Sequence, residues 1–145
     1  MNSDIPHSQL KAIAIAEAAL SKKALDVIIL DVRELTSIAD YFILASGESE
    51  RQVKAIANNI TQEIAATYHT TPLIEGAGTS MWILLDYENI VGHVFKTEIR
   101  QFYALEKMWS DAPRIPIPDL AHEQLPSRAY QPTDPTPTAT AKYGS

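Results

Sequence analysis

The chain has 145 residues, of which 46% are hydrophobic, and its formal net charge is −6. This size suits one compact domain, and the longest apolar runs fall far short of the roughly 20 residues of a membrane-spanning helix, so we expect a soluble, cytoplasmic protein without membrane contact. The absence of cysteine excludes disulfides and thiolate catalysis, and the acidic balance argues against much direct contact with nucleic acid, which needs clustered Lys and Arg.

Four elements are predicted in the first half of the chain. Apolar spacing indicates a helix over residues 8–22. Residues 24–32 and 41–45 are rich in β-branched or aromatic side chains and are predicted as strands, the second ending at a Ser-Gly turn. A Ser-x-x-Gln capping box and a long apolar stripe then predict a helix over residues 49–68.

The second half predicts three further strands and one more helix. A short strand is expected over residues 72–75, a hairpin over 81–86 and 89–95, and a helix over 97–109 capped by its first threonine. The order of all elements is α-β-β-α-β-β-β-α. This order predicts an α/β fold in which a mixed β-sheet of about five strands packs with helices.

The hairpin divides into two faces of different character. If Tyr87 and Glu88 form its turn, Trp82 lies opposite His93, but no Asn-Gly or Asp-Gly fixes this register, and a slip of one residue would exchange the faces. The face predicted to be core carries Met81, Ile83, Leu85, Ile90, Gly92 and Val94. The other carries Trp82, Leu84, Asp86, Val91, His93 and Phe95.

Two interpretations of this second face remain open from the residues alone. Trp82, His93 and Phe95 suit a second core layer beneath the last helix. They equally suit a contact surface, because the centres of protein interfaces are enriched in Trp, Tyr, Phe, Met and Arg. The face is therefore either packed under the helix or available to a partner.

The end of the chain differs sharply in composition from the rest. Seven of the nine prolines fall in residues 113–145, and large apolar residues become rare there. We therefore expect a folded domain over residues 1–112, followed by a largely disordered tail over 113–145.

Motifs for catalysis are mostly absent. The sequence has no Walker A loop, dinucleotide-binding turn or nucleophile elbow, and its four histidines are far apart, so neither a cofactor nor a metal site is predicted. One alternative from the enzyme class is a metal-dependent nucleotidyltransferase that uses Asp26, Asp31 or Asp40. Such chemistry usually needs carboxylates close together, as in Asp-x-Asp, and this pattern does not occur.

Six blocks of residues carry a resemblance to a known family. They are Asp-Tyr-Phe-Ile-Leu-Ala-Ser-Gly at 40–47, Ser-Glu-Arg-Gln-Val at 49–53, Glu-Gly at 75–76, Trp-Ile-Leu-Leu-Asp-Tyr at 82–87, His-Val-Phe at 93–95 and Arg-Gln-Phe-Tyr-Ala-Leu-Glu-Lys-Met-Trp at 100–109. In order and spacing these blocks resemble the Iojap/RsfS family of ribosomal silencing factors, over about residues 8–112.

This resemblance implies a shape like that of nucleotidyltransferases, without their catalytic carboxylates, and a function that is not enzymatic. Members of the family bind ribosomal protein fourteen on the large ribosomal subunit and so block association with the small subunit. The implied role is to repress translation when nutrients are limited. One alternative function remains, that of a large-subunit assembly factor that uses the same surface. The oligomeric state is left open between a monomer and a homodimer formed through an exposed apolar face.

The resemblance also implies which residues bind the partner. They lie in the hairpin and the last helix, and are Trp82, Leu84, Asp86, Tyr87, His93, Phe95, Arg100 and Tyr103. The sequence departs from the family at two hairpin positions. Glu88 stands where the family often has Gly, so the geometry of the hairpin turn need not follow that of the family. Gly92 stands where an aliphatic residue is usual, so the packing around this position need not follow it either.

Overall fold

The computed structural model describes residues 5–118. Contacts divide the chain into two units, Met1–Ile115 and Pro116–Ser145. Most of the predicted tail lies outside the described residues, so its disorder stays a prediction. The elements are α1 (His7–Leu20), β1 (Leu25–Asp31), β2 (Tyr41–Gly47), α2 (Glu50–Tyr68), β3 (Leu73–Glu75), β4 (Trp82–Asp86), β5 (Ile90–Lys96), α3 (Thr97–Tyr103) and α4 (Leu105–Met108).

The five strands form one mixed sheet in the order β1-β2-β5-β4-β3. Neighbouring strands are antiparallel except β2 and β5, which run parallel. A parallel pair needs a long crossover, and here α2, β3 and β4 supply it. The predicted fold class, an α/β fold with a mixed sheet of about five strands, is confirmed.

Helices α1 and α2 pack against each other and against the central strands. The predicted cap of α2 is confirmed, because the Ser49 side chain accepts a hydrogen bond from the backbone N–H of Gln52 at 3.1 Å. Beneath these helices lies the hairpin face that was predicted to be core. Met81 on this face is 38% exposed. The other residues of the face are buried, and they are Ile83, Leu85, Ile90, Gly92 and Val94.

The opposite face of the sheet carries a second apolar cluster. Phe42 and Phe95 are buried there, and the rings of Phe42 and Trp109 meet edge to face with their centroids 5.1 Å apart. Trp82, Val91 and Leu105 pack partly buried against the same cluster. The sheet therefore has core on both faces, so part of the aromatic face of the hairpin is packed under the last helices.

The last helix is not continuous, and the prediction of one helix over 97–109 was wrong. Ala104 adopts left-handed backbone angles, φ 51° and ψ 48°, and separates α3 from α4. Thr97 is not the cap either, because Lys96 occupies that position and the Thr97 hydroxyl contacts the Gly47 carbonyl oxygen at 3.4 Å. The left-handed residue ends α3 and starts α4, so the residues before and after it belong to two separate helices.

Beyond α4 the backbone returns to the outer edge of β1. The N–H of Asp31 donates to the Pro113 carbonyl at 2.8 Å, and the N–H of Ile115 donates to the Ile29 carbonyl at 3.0 Å. These bonds satisfy backbone groups that an edge strand would otherwise expose. Pairing with the domain thus continues to Ile115, beyond the boundary predicted at residue 112.

Candidate protein-contact surface

Strands β4 and β5 bring Trp82, Leu84 and His93 to one face of the sheet. The paired residues are Trp82 with Phe95, Leu84 with His93, and Asp86 with Val91. The predicted register was therefore wrong by two residues, because Trp82 was expected opposite His93. The predicted faces are nevertheless correct, since side chains alternate with a period of two and a shift of two preserves them.

The hairpin turn lies at Glu88 and Asn89, one residue later than predicted. The N–H of Tyr87 donates to the Ile90 carbonyl at 2.8 Å, and the N–H of Glu88 donates to Oδ1 of Asp86 at 2.8 Å. Glu88 has a φ of 78°, a conformation that favours glycine. This backbone conformation fits the Gly that the resemblance implies is often found at this position. It also gives the half-buried Asp86 carboxylate a role in holding the turn.

Trp82 connects the second core cluster to the protein surface. Its side chain is partly exposed, and its ring centroid lies 5.5 Å from that of Phe95 and 5.1 Å from that of Tyr103. Tyr103 is 50% exposed and in turn contacts the ring of Phe102, which is 79% exposed. A continuous row of rings therefore runs from the core outward, through β4 to the end of α3.

His93 is held in a neutral form beside Trp82. Its Nδ1 accepts a hydrogen bond from the Trp82 indole N–H at 3.2 Å, and its ring meets that of Phe42 edge to face at 5.5 Å. Burial lowers the pKa of His93 to about 4. At neutral pH the histidine is therefore uncharged, with its proton on Nε2, which makes it a hydrogen-bond donor at that atom and not a cation.

Phe95 and Tyr87, two residues of the predicted partner surface, lie in the interior. Phe95 is 0% exposed and Tyr87 is 5% exposed. The Lys11 ammonium lies 4.8 Å from the centroid of the Tyr87 ring, and burial raises the pKa of Tyr87 to about 12, against a smaller opposing effect of Thr61. Phe95 packs against Trp82 from within the protein, whereas Tyr87 faces α1 on the other side of the sheet, so neither side chain is within direct reach of a partner.

Arg100, also predicted to bind the partner, is 5% exposed and fully engaged within the protein. Its guanidinium donates to both carboxylate oxygens of Glu106, at 3.1 and 2.8 Å, and to the Ser46 hydroxyl at 2.8 Å. Burial raises the pKa of Glu106, but the hydrogen bonds and charge of Arg100 outweigh it, so this pKa lies below its usual value. The pair is therefore ionised at neutral pH.

The structure thus brings five side chains together on this face, three of them partly exposed and two exposed, and we term them the aromatic surface. It consists of Trp82, Leu84 and His93 from the hairpin and Phe102 and Tyr103 from α3. Phe102 was missed from the sequence, because a continuous helix would have allowed its ring to turn toward the core. Phe102 lies two residues after the buried Arg100 within α3, so its side chain points about 160° away from that of Arg100 and into solvent.

The carboxylates of the enzyme alternative are not arranged as a metal site. The Asp31 carboxylate forms an ion pair with Arg33, whose guanidinium nitrogen lies 2.7 Å from it. Asp26 lies in an irregular part of β1 and has a φ of 51°. Among residues 5–118, no group of three or more His, Asp or Glu side chains is placed to hold a metal ion. Within the same residues, no helix is long and apolar enough to cross a membrane.

Comparison with known proteins gives consistent matches along the chain. The family described as "Ribosomal silencing factor during starvation" matches residues 5–142. The ribosomal silencing factor RsfS of Bacillus subtilis is 37% identical over 107 residues, which cover 73% of this chain and 91% of that protein. A mouse protein named "Mitochondrial assembly of ribosomal large subunit protein 1" is 27% identical over 92 residues, covering 61% of this chain and 40% of that protein.

A solved structure shows the same architecture. The crystal structure of a protein from Chromobacterium violaceum superposes with a TM-score of 0.67 at 33% sequence identity, and the match covers 73% of this chain and 88% of that one. The family match spans most of the chain, and the Bacillus subtilis relative is matched over nearly its whole length. The chain belongs to the RsfS family of ribosomal silencing factors.

Proposed function

We propose that this protein binds the large ribosomal subunit through ribosomal protein fourteen and sterically prevents the small subunit from joining. Translation is thereby repressed in the cytoplasm when nutrients are limited. This function needs affinity and bulk and no bond chemistry, so the protein acts without a cofactor and not as an enzyme. Membership of the silencing-factor family supports the ribosomal role.

The aromatic surface is the observation that carries the proposal. Phe102 and Tyr103 are 79% and 50% exposed, and Trp82 stands directly beside Tyr103. Aromatic side chains of this kind supply most of the binding energy at many protein interfaces when they are desolvated. Exposed rings supported by a packed core are costly to leave in water, which favours a protein partner on this face.

The charges at the rim of this surface suit a basic partner. Asp86 is partly exposed at the end of β4, and exposed Glu75 pairs with Leu84 in the sheet, so both carboxylates lie beside the aromatic surface. The whole chain is acidic, with a formal charge of −6. Complementary charge at a rim increases the rate of association and improves specificity more than it increases affinity. We therefore expect association to slow as salt concentration rises.

Co-sedimentation with purified ribosomal subunits tests the proposal. The protein should pellet with large subunits and not with small subunits, and it should reduce the yield of joined ribosomes when both are mixed. Isolated ribosomal protein fourteen should compete for binding. Failure to pellet with large subunits would contradict the proposal, and binding that survives an excess of ribosomal protein fourteen would contradict the assigned partner.

Variants of the aromatic surface sharpen this test. Phe102→Ala and Tyr103→Ala should each weaken binding about tenfold or more, with melting temperatures close to that of the unaltered protein, because both rings are largely exposed. Ile38→Ala is the matched control, since Ile38 is 70% exposed on the loop between β1 and β2. Equal affinity for all three variants would remove the aromatic surface from the proposal.

A role in assembly of the large subunit is the second candidate. The mouse relative is named for ribosomal large subunit assembly in mitochondria, and such a factor would use the same surface. Depletion of the protein separates the two roles. Accumulated large-subunit precursors in well-fed cells would favour assembly, whereas normal subunits with continued translation during starvation would favour silencing.

Self-association through the aromatic surface is a further proposal, because exposed rings favour pairing between copies. Sedimentation equilibrium of the isolated protein tests it. A dimer that dissociates in Phe102→Ala and also dissociates on addition of ribosomal protein fourteen would place both partners on one surface. A monomer at all concentrations would exclude the dimer.

A further inference from the structure

Arg100 connects three elements that are distant in the sequence. Its guanidinium reaches Ser46 on β2 and Glu106 on α4 from its own position on α3, using three separate N–H donors. Ser46 is 0% exposed, and the guanidinium carbon lies 5.8 Å from the centroid of the buried Phe95 ring. A rigid guanidinium fork held by two parallel bonds fixes both distance and angle, which a single bond does not.

The pair with Glu106 depends on the break between α3 and α4. In a continuous α-helix, residues six apart point about 120° away from each other and do not face. The left-handed angles of Ala104 turn the chain, and its N–H still donates to the Arg100 carbonyl at 3.0 Å. Left-handed backbone is unfavourable for alanine. The hydrogen bonds between Arg100 and Glu106 offset this cost, and the turn in return brings the two side chains together.

This turn determines what the aromatic surface presents. On one side of it, Phe102 and Tyr103 stand outward at the end of α3. On the other side, Leu105 and Trp109 pack against the second core cluster, while Met108 is 69% exposed. A different path through Ala104 would move the two exposed rings relative to Trp82.

We propose that Ser46, Arg100 and Glu106 form a clamp that holds the α3–α4 turn and thereby positions Phe102 and Tyr103 for the partner; Ser46 and Arg100 are buried, and Glu106 is partly exposed. The three are positioning residues and do not touch the partner themselves. This inference rests on the proposed function only for its effect on binding. The structural half of the inference is that the clamp holds the α3–α4 turn, and this is tested on the isolated protein without any partner.

Hydrogen–deuterium exchange tests the structural half. Glu106→Gln keeps the size of the side chain but removes its charge and one acceptor, and Arg100→Lys keeps the charge but removes the fork. Both should accelerate exchange at residues 104–109 at least about tenfold while the amides of β2 and β5 stay protected. Glu98→Gln is the control, because Glu98 lies on the same helix in an exposed pair with Lys96 at 4.0 Å.

Binding kinetics test the positioning role. If the clamp holds the turn in a binding-competent form, its loss lowers the competent fraction, so the association rate constant should fall about tenfold while the dissociation rate stays nearly constant. Loss of a direct contact acts chiefly on the dissociation rate instead. Glu98→Gln should change neither rate.

The outcomes separate the two proposals. Unchanged exchange at residues 104–109 in both clamp variants overturns the clamp, and so does a faster dissociation rate with an unchanged association rate. If the unaltered protein does not bind large subunits at all, the proposed function fails. In that case, accelerated exchange at the turn still supports the clamp as the device that holds α3 against α4.

Discussion

The indole N–H of Trp82 donates a hydrogen bond to Nδ1 of His93 at 3.2 Å, across strands β4 and β5. This bond fixes the proton of the neutral imidazole on Nε2. It also satisfies the one polar atom of the Trp82 ring, which leaves the rest of that ring free for apolar contact. The most aromatic part of the candidate surface is thus anchored to the sheet by a bond that requires an unprotonated histidine.

Stability should fall as the pH drops below about 6.5. The unfolded chain carries a histidine with a pKa near 6.5, whereas the pKa of His93 in the folded protein is about 4. Between these values the unfolded state binds a proton that the folded state does not, so the contribution of His93 is complete above pH 6.5 and is lost as the pH falls through 4. The expected slope is at most about 1.4 kcal/mol per pH unit. Urea unfolding at pH 7.5, 5.5 and 4.5 measures it.

His93→Asn is the control for this slope. Its side-chain oxygen can accept the Trp82 N–H at about the position of Nδ1, but it does not titrate. The variant should therefore show a shallower dependence of unfolding free energy on pH between 6.5 and 4. The same slope in both proteins would mean that other groups are responsible.

Ala104→Gly should stabilise the protein by about 1 kcal/mol. Alanine pays roughly 1 to 2 kcal/mol for left-handed backbone, and glycine does not, although glycine loses more entropy on folding. Ala104 is exposed, so no packing is lost with its methyl group. Thermal and urea unfolding measure the change.

Ala55→Gly makes the matched comparison. Ala55 is exposed within α2, where the same substitution should destabilise the protein by about 1 kcal/mol because glycine has a poor helix propensity. Opposite signs at the two positions are expected. A destabilising effect at both would contradict the left-handed turn between α3 and α4.

Gly92→Ala should stabilise the sheet by about 0.5 to 1 kcal/mol, since glycine within a strand loses more entropy than alanine. An added Cβ would meet Leu85 Cβ at 3.7 Å and Ile15 Cγ2 at 4.0 Å, which are ordinary contacts. The structure therefore has room for a Cβ at this position. Calorimetric melting of the variant checks the sign.

Gly76→Ala is its counterpart. Gly76 has a φ of 85°, and an added Cβ would run into the carbonyl oxygen of Trp82. The substitution should cost at least about 2 kcal/mol through backbone strain. Tolerance of alanine at Gly76 would mean that the loop before β4 takes a different path.

The elements of the fold could be predicted from the sequence, but two of its connections could not. The apolar stripe and capping box of α2 are local signals, and the structure reproduces them. The hairpin register depends on the turn, and the positive φ of Glu88 has no glycine to mark it. The break at Ala104 is equally hidden in the sequence, because alanine is the best helix former and because Arg100, which spans the break to Glu106, is held by a tertiary contact with Ser46.

The candidate site was predicted in outline only. Trp82 and Tyr103 are accessible, as a contact surface requires, whereas Phe95 and Arg100 are buried. Residue type alone does not separate these outcomes, because aromatic residues and Arg occur both in interface centres and within packed cores when they are paired. Burial depends on where α3 and α4 lie over the sheet, which no local pattern in the sequence specifies.

Trp82→Ala should weaken binding to large subunits by on the order of 2 kcal/mol or more if Trp82 anchors the partner. The same change removes contacts with Phe95 and Tyr103, so about 3 kcal/mol of stability should be lost as well. Isothermal titration below the melting temperature measures the affinity of the folded fraction. If the variant is unfolded under all conditions, Trp82 is a core residue and not an anchor.

Trp82→Phe separates these two effects. Phenylalanine retains most of the ring packing but removes the indole N–H, which leaves Nδ1 of His93 without its donor and should cost only about 1 kcal/mol of stability. A folded Trp82→Phe protein whose affinity falls much more than its stability would identify the indole as a partner contact. Affinity equal to that of the unaltered protein would show instead that the partner needs only an aromatic ring at this position, with the indole N–H serving His93 alone.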